Sequence, residues 1–176
     1  SKSQKSAAKK MQEMADQMQM AMDSQEQEQQ EEDMESLRAL LENIITLSFD
    51  QESLMNNFGK IDSKDPNYNR LGQTQRKLKD DAKMVEDSLF ALSKRVPQVS
   101  AAVNREINLV NENMDKALMS IPDRRTPEIT SSQQYVMTSF NNLALMLDEA
   151  LKQMQMQQQS SNSKPGSGSC NKPGGS

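Results

Sequence analysis

The sequence predicts an all-α protein, and three observations carry that prediction. Residues 1–58 contain no glycine or proline, and four of the six glycines lie in the last eleven residues. Apolar residues recur at helical intervals of three and four. The mean hydropathy of -0.85 is too low for a thick core, but it is sufficient for narrow helix–helix seams. We therefore expect an antiparallel four-helix bundle with a helical N-terminal extension and a disordered C-terminal tail.

Residues 1–33 form the predicted N-terminal extension, a methionine-rich helical stalk. Its apolar stripe follows the 3-4-4 spacing of one helix face and consists of Met11, Met14, Met18 and Met22. Residues 25–33 are all polar, so we expect none of their faces to be buried. This acidic stretch is interpreted as a solvated helical connector or hinge that leads to a bundle starting near Met34.

The bundle is predicted to span residues 34–158, with helices at 34–58, 67–95, 97–120 and 128–158. Gly59 suits a left-handed C-cap for the first of these helices. Asp65-Pro66 and Thr126-Pro127 each read as an N-cap followed by a first-turn proline. In an up-down-up-down bundle the last helix finishes beside the start of the first. The end of the last helix is therefore expected to lie near the N-terminal extension.

Pro97 leaves two alternatives open. As the first residue of a helix it would follow a tight turn and give four helices. As an interior residue it would kink one long helix, at a cost of about 3 kcal/mol, and give a three-helix coiled coil. An uninterrupted apolar stripe favours the kink, and four segments of similar length favour the turn. We predict the turn.

Residues 159–176 are predicted to be a flexible linker or tail because glycine, serine and proline dominate them. The single cysteine, Cys170, lies in this tail and cannot form an internal disulfide. It is interpreted as an incidental residue.

Composition argues against most kinds of chemistry. The chain has no histidine and no tryptophan, so zinc sites, di-iron carboxylate sites and histidine-based triads lack their usual ligands and bases. The formal net charge of -4 gives no basic footprint for nucleic acid, and no apolar run is long enough for a membrane span. We expect no enzyme activity and no cofactor.

Methionine offers the most suggestive candidate surface. A soft seam that binds a protein partner, or a second copy of the chain, is the favoured interpretation. The candidate partner-binding residues are Met11, Met14, Met18, Met22 and Met154. Thioether ligands also suit Cu(I), but Met20 lies opposite Met18 and Met22 on a helix, so ligation would require unwinding. The nearby lysines could instead bind an anionic lipid surface. They are Lys2, Lys5, Lys9 and Lys10.

Several stretches resemble the C-terminal helical region of large Bacteroidota proteins of a domain-of-unknown-function family. The stretches are Leu47–Glu52, Lys79–Asp81, Asp87–Pro97, Gln133–Ser139 and Asn141–Leu147. Members of that family have an N-terminal membrane-spanning part and a long envelope-facing region. The resemblance implies a fragment on the periplasmic side of the envelope. Its link to the membrane would run through a part of the parent chain that is absent here. It implies no catalytic residues.

Together these observations predict a non-catalytic helical scaffold or protein–protein interaction region of a bacterial cell-envelope protein. The alternative is an amphipathic element that binds membrane surfaces, or exposed apolar protein surfaces as a holdase does.

Overall fold

The computed structural model describes residues 2–163, without the side chains of residues 100–102. Within this range the chain forms four α-helices and one short 3-10 helix, with no strand. The α-helices are α1 (Lys2–Lys60), α2 (Tyr68–Ser93), α3 (Ser100–Ser120) and α4 (Thr126–Asn162), and the 3-10 helix is Pro97–Val99. The prediction of an all-α chain with four helices is confirmed.

Helix α1 joins the predicted extension and the first predicted bundle helix into one element. It has 59 residues, and a rise of about 1.5 Å per residue makes it about 90 Å long. The polar stretch at 25–33 continues the helix without a break, so the connector is helical and no hinge interrupts it. Neither glycine nor proline is present there to end the hydrogen-bond ladder.

Two turns meet at one end of the helices. Asp65 Oδ1 accepts a hydrogen bond from the backbone N–H of Asn67 at 2.8 Å, and α2 then begins at Tyr68, later than predicted. Arg124, between α3 and α4, has φ of 53°. Its guanidinium donates to the backbone carbonyl oxygens of Ser63 and Asp65 and lies 5.1 Å from the centre of the Tyr68 ring. A single arginine therefore ties the two turns together.

The predicted glycine cap is wrong. Helix α1 runs through Gly59 to Lys60, and no glycine in the described range has a positive φ. The predicted Thr126 cap shifts by one residue: Arg125 precedes α4, and Thr126 is its first residue. The Thr126 hydroxyl lies 2.9 Å from the hydroxyl of the buried Tyr68. The Thr126 side chain thus contacts Tyr68 instead of capping the N-terminus of α4, as was expected.

The chain turns at Pro97, as predicted, and the alternative of one long kinked helix is wrong. Helix α2 ends at Ser93, and the N–H groups of Arg95 and Val96 both bond to the carbonyl of Leu92, at 3.0 and 2.9 Å. Proline has no N–H with which to continue the ladder. The 3-10 turn at Pro97 then leads into α3.

One apolar core connects the four helices and runs from Met34 on α1 to Met154 on α4. Helix α1 packs against α4 and α2, while α3 packs mainly against α4 and less extensively against α2. At the Arg124 end, the rings of Phe58 and Tyr68 make an edge-to-face contact with centroids 5.1 Å apart. No helix in residues 2–163 is long and apolar enough to cross a membrane.

Helix α4 extends to Asn162, four residues beyond the prediction. The predicted tail therefore begins with helix, and Cys170 lies outside the described residues. Gln158 Nε2 donates to Glu31 Oε1 at 3.4 Å, and a polar groove of about 420 Å³ separates the end of α4 from residues 23–30 of α1. The end of α4 therefore lies beside residues 23–31 of α1.

Candidate functional site: a methionine face on α1

The first half of α1 carries four methionines on one solvent-exposed face. Residues 2–29 are exposed throughout, and these four side chains are between 53% and 66% exposed. At about 100° of rotation per residue they fall within an arc of about 80°. We call this set the Met face: Met11, Met14, Met18 and Met22. Met20 is equally exposed, at 66%, but lies on the opposite side of the helix.

The Met face is continuous with the buried face of the same helix. From position 33 to position 58 the buried residues of α1 follow a 4-3-4-3-4-3-4 spacing, which is a heptad pattern. From Met11 to Asp33 the residues on the same face follow the spacing 3-4-4 twice, first through the methionines to Met22 and then through Gln25 and Gln29 to Asp33. This is an eleven-residue repeat, which gives a straighter or slightly right-handed helix pair. The core seam therefore extends past the last helix that covers it.

Met154 does not belong to this surface, so its prediction as a partner-binding residue is corrected. It is 5% exposed and lies in the core together with Leu147 and Ala150. Its spacing from these residues, seven and four positions, places it on the inward face of α4. The exposed methionine near the end of α4 is Met156, at 61%.

Opposite charges occupy the two ends of this exposed half of α1. Residues 2–10 contain four lysines and no acid, whereas residues 23–33 contain six acids and no base. Between them, Gln12 bonds to Asp16 at 3.2 Å and Gln19 to Asp23 at 2.9 Å along the helix. These polar pairs lie off the Met face and leave it clear.

Asp33 is buried at the point where the exposed half ends. It is 6% exposed, and its Oδ1 accepts hydrogen bonds from Arg95 Nε at 3.0 Å and from Gln29 Nε2 at 3.2 Å. The prediction that no face of residues 25–33 is buried is therefore wrong at this residue. Burying a carboxylate requires a hydrogen-bonded cation, and the Pro97 turn supplies one. No local pattern could show this, because Arg95 lies 62 positions away.

Three glutamines in the core were not predicted from the sequence. Gln51, Gln75 and Gln133 are 0% exposed and come from α1, α2 and α4. Gln51 and Gln75 exchange two amide hydrogen bonds of 3.0 and 2.9 Å, and Gln133 Nε2 donates to Gln75 Oε1 at 2.9 Å. Gln133 Oε1 has no hydrogen-bond partner. A polar network of this kind fixes the register of the helices that share it.

A signal for this glutamine cluster was present in the sequence. Each glutamine occupies a seam position between two apolar residues, as Gln51 does between Leu47 and Leu54. One polar residue in such a seam is the usual device for fixing the register of a coiled coil.

Perturbed lysines lie on the outer surface and form no chemical site. Hydrogen bonds to carboxylates one turn away raise the pKa of Lys77, Lys83 and Lys152, with Asp81, Asp87 and Asp148 as the respective partners. All three lysine side chains are at least 60% exposed. In residues 2–163 no group of three or more histidine, cysteine or acidic side chains is placed to hold a metal ion.

No family model matches the chain, and no curated protein or solved structure matches it either. The Met face and the glutamine cluster are therefore interpreted from their own geometry.

Proposed function

We propose that the chain is a non-catalytic scaffold: an antiparallel four-helix bundle that presents the Met face to a protein partner. The single observation that carries this proposal is the exposure of four methionines on the face that becomes the core seam farther along α1. A flexible thioether side chain adapts its shape to a partner at low energetic cost. A helix face of this kind binds partner helices through anchors three and four residues apart.

Two hydrogen bonds between α1 and α4 support the antiparallel arrangement. Glu31 pairs with Gln158, and Ser48 pairs with Asn141. An advance of 17 positions along α1 thus matches a retreat of 17 positions along α4. The resemblance to envelope proteins supports a location on the periplasmic side of a cell envelope, with membrane attachment through another part of the parent chain.

Site-specific photo-crosslinking tests the proposal with a matched control. A photoreactive amino acid is placed at position 14 or 18, on the Met face, or at position 20, on the opposite face. In extracts of the source organism's envelope, we expect protein adducts from positions 14 and 18 and none from position 20. Equal labelling at all three positions, or none at all, would contradict the proposal.

Binding of a lipid surface is the second candidate, favoured by the four lysines in residues 2–10 beside the Met face. Sedimentation with vesicles that contain anionic phospholipid tests it. Salt-sensitive binding of the chain that is lost in Met14→Gln/Met18→Gln, without protein adducts, would favour this alternative over the scaffold.

A further inference from the structure

The exposed half of α1 carries positive charge at its N-terminal end and negative charge at its other end. The lysine segment, residues 2–10, is centred near residue 6, and the exposed acidic segment, residues 23–32, is centred near residue 28. When two such helices pair side by side in parallel, lysine faces lysine and acid faces acid. When they pair antiparallel, both lysine segments face acidic segments, and the midpoint of the overlap falls near residue 17. Like charges brought together oppose association, so the charge pattern selects the antiparallel arrangement.

The Met face has the same centre. Met11 and Met22, its end members, are equidistant from the point between Asp16 and Gln17. An antiparallel second copy therefore brings Met11 of one helix opposite Met22 of the other. About the same point Met18 comes opposite Ala15, with Met14 one residue away, and the small Ala15 leaves room for the larger thioethers. A surface whose charge and apolar patterns share one midpoint is self-complementary, as a two-fold interface requires.

We infer that the partner of the Met face is a second copy of this chain, paired antiparallel about a two-fold axis beside Asp16 and Gln17. The inference rests on the proposed function, because it names the occupant of the same surface. The interface continues the core seam of α1 through Gln25 and Gln29, two side chains that the end of α4 leaves exposed. The two helical bodies then stand at opposite ends of the paired segment. At about 1.5 Å per residue, the two copies of Asp33 are about 50 Å apart.

Sedimentation velocity on the 176-residue chain tests the self-association. We expect a monomer–dimer equilibrium that weakens as salt is added, because the flanking charges are exposed. Met14→Gln/Met18→Gln should raise the dissociation constant about tenfold or more, since four apolar side chains leave the interface. Met20→Gln removes an equally exposed methionine from the opposite face and should leave the dissociation constant unchanged. Equal effects of the two variants would overturn the inference.

Disulfide trapping tests the direction of pairing. In a Cys170→Ser background, Met11→Cys and Met22→Cys provide single cysteines at the two ends of the Met face. In an antiparallel pair, Met11 and its own copy are about 16 Å apart along the axis, beyond the reach of a disulfide. We expect a disulfide-linked dimer only when the two variants are mixed. Dimers formed by either variant alone would show parallel pairing and overturn the antiparallel inference.

The two proposals fail in different ways. A chain that stays monomeric at every concentration, yet forms adducts with another protein from position 18, refutes self-pairing and leaves the scaffold proposal standing. A monomer with no adduct from the Met face refutes both.

Discussion

The hydrogen bonds of the glutamine cluster predict that replacing two equally buried glutamines will change the free energy of unfolding by very different amounts. Gln75 takes part in all three hydrogen bonds of the cluster, whereas Gln133 takes part in one. Replacing Gln75 by methionine, a side chain of similar length, strands the amide nitrogen and oxygen of Gln51 and the amide nitrogen of Gln133. Each stranded buried group costs about 1–3 kcal/mol.

Part of this cost is offset, because methionine needs no hydrogen bond in an apolar core. We expect Gln75→Met to lower the free energy of unfolding by about 2–5 kcal/mol. Gln133→Met leaves the reciprocal Gln51–Gln75 pair intact and removes the oxygen of the glutamine cluster that lacks a partner. The free energy of unfolding of this variant should stay within about 1 kcal/mol of the parent.

Urea unfolding followed by far-ultraviolet circular dichroism measures both variants. The slope of the unfolding free energy against urea should stay the same, so that the shift in midpoint reports stability alone. The double variant Gln75→Met/Gln133→Met removes one of the stranded groups and should be more stable than Gln75→Met. Equal losses for the two single variants, or a larger loss for Gln133→Met, would refute this reading of the network.

Two further predictions concern the turn at Pro97 and the two glycines of the helices. Arg95→Leu removes the cation that is bonded to the buried Asp33. It should lower the free energy of unfolding by about 1–2 kcal/mol, since the arginine is 48% exposed and solvent screens the pair. Asp33→Leu in the Arg95→Leu background should recover most of that loss in the same urea assay, and no recovery would count against a stranded carboxylate. Gly59→Ala meets nothing within 4 Å and should raise the thermal midpoint through a gain of about 0.5–1 kcal/mol, whereas Gly72→Ala brings its Cβ to 3.0 Å from Ile121 Cγ2 and should gain less. A larger gain at Gly72 would show that Ile121 yields without cost.

Much of the fold was predictable because helical periodicity and proline placement are local signals. The apolar stripes identified core residues such as Leu89 and Leu147, and Pro97 marked a true turn. The caps were less predictable, because tertiary contacts override local preferences. Gly59 stays helical, and Thr126 faces the hydroxyl of Tyr68 instead of capping α4.

The candidate site was predictable in part for the same reason. Spacing alone placed Met11 to Met22 on one face, and the structure leaves all four exposed. Met154 was wrongly assigned to the partner-binding surface because it is a methionine, although its position in the apolar stripe of α4 indicates burial in the core. The burial of Asp33 and the meeting of the three glutamines depend on residues far apart in sequence, so no local pattern could reveal them.

The unbroken course of α1 has a consequence for how the two halves of the chain are oriented. Because a helix turns by about 100° per residue, the number of residues between Met22 and Asp33 determines the angle, about the helix axis, between the Met face and the buried face. An insertion of two residues there would rotate the Met face by about 200°, to the opposite side of the helix. An insertion of seven residues would return it to within about 20° of its original direction. The length of helix α1 between Met22 and Asp33 thus sets the direction of the Met face as well as its distance from the core, so we expect insertions of about seven residues to be tolerated there better than insertions of two.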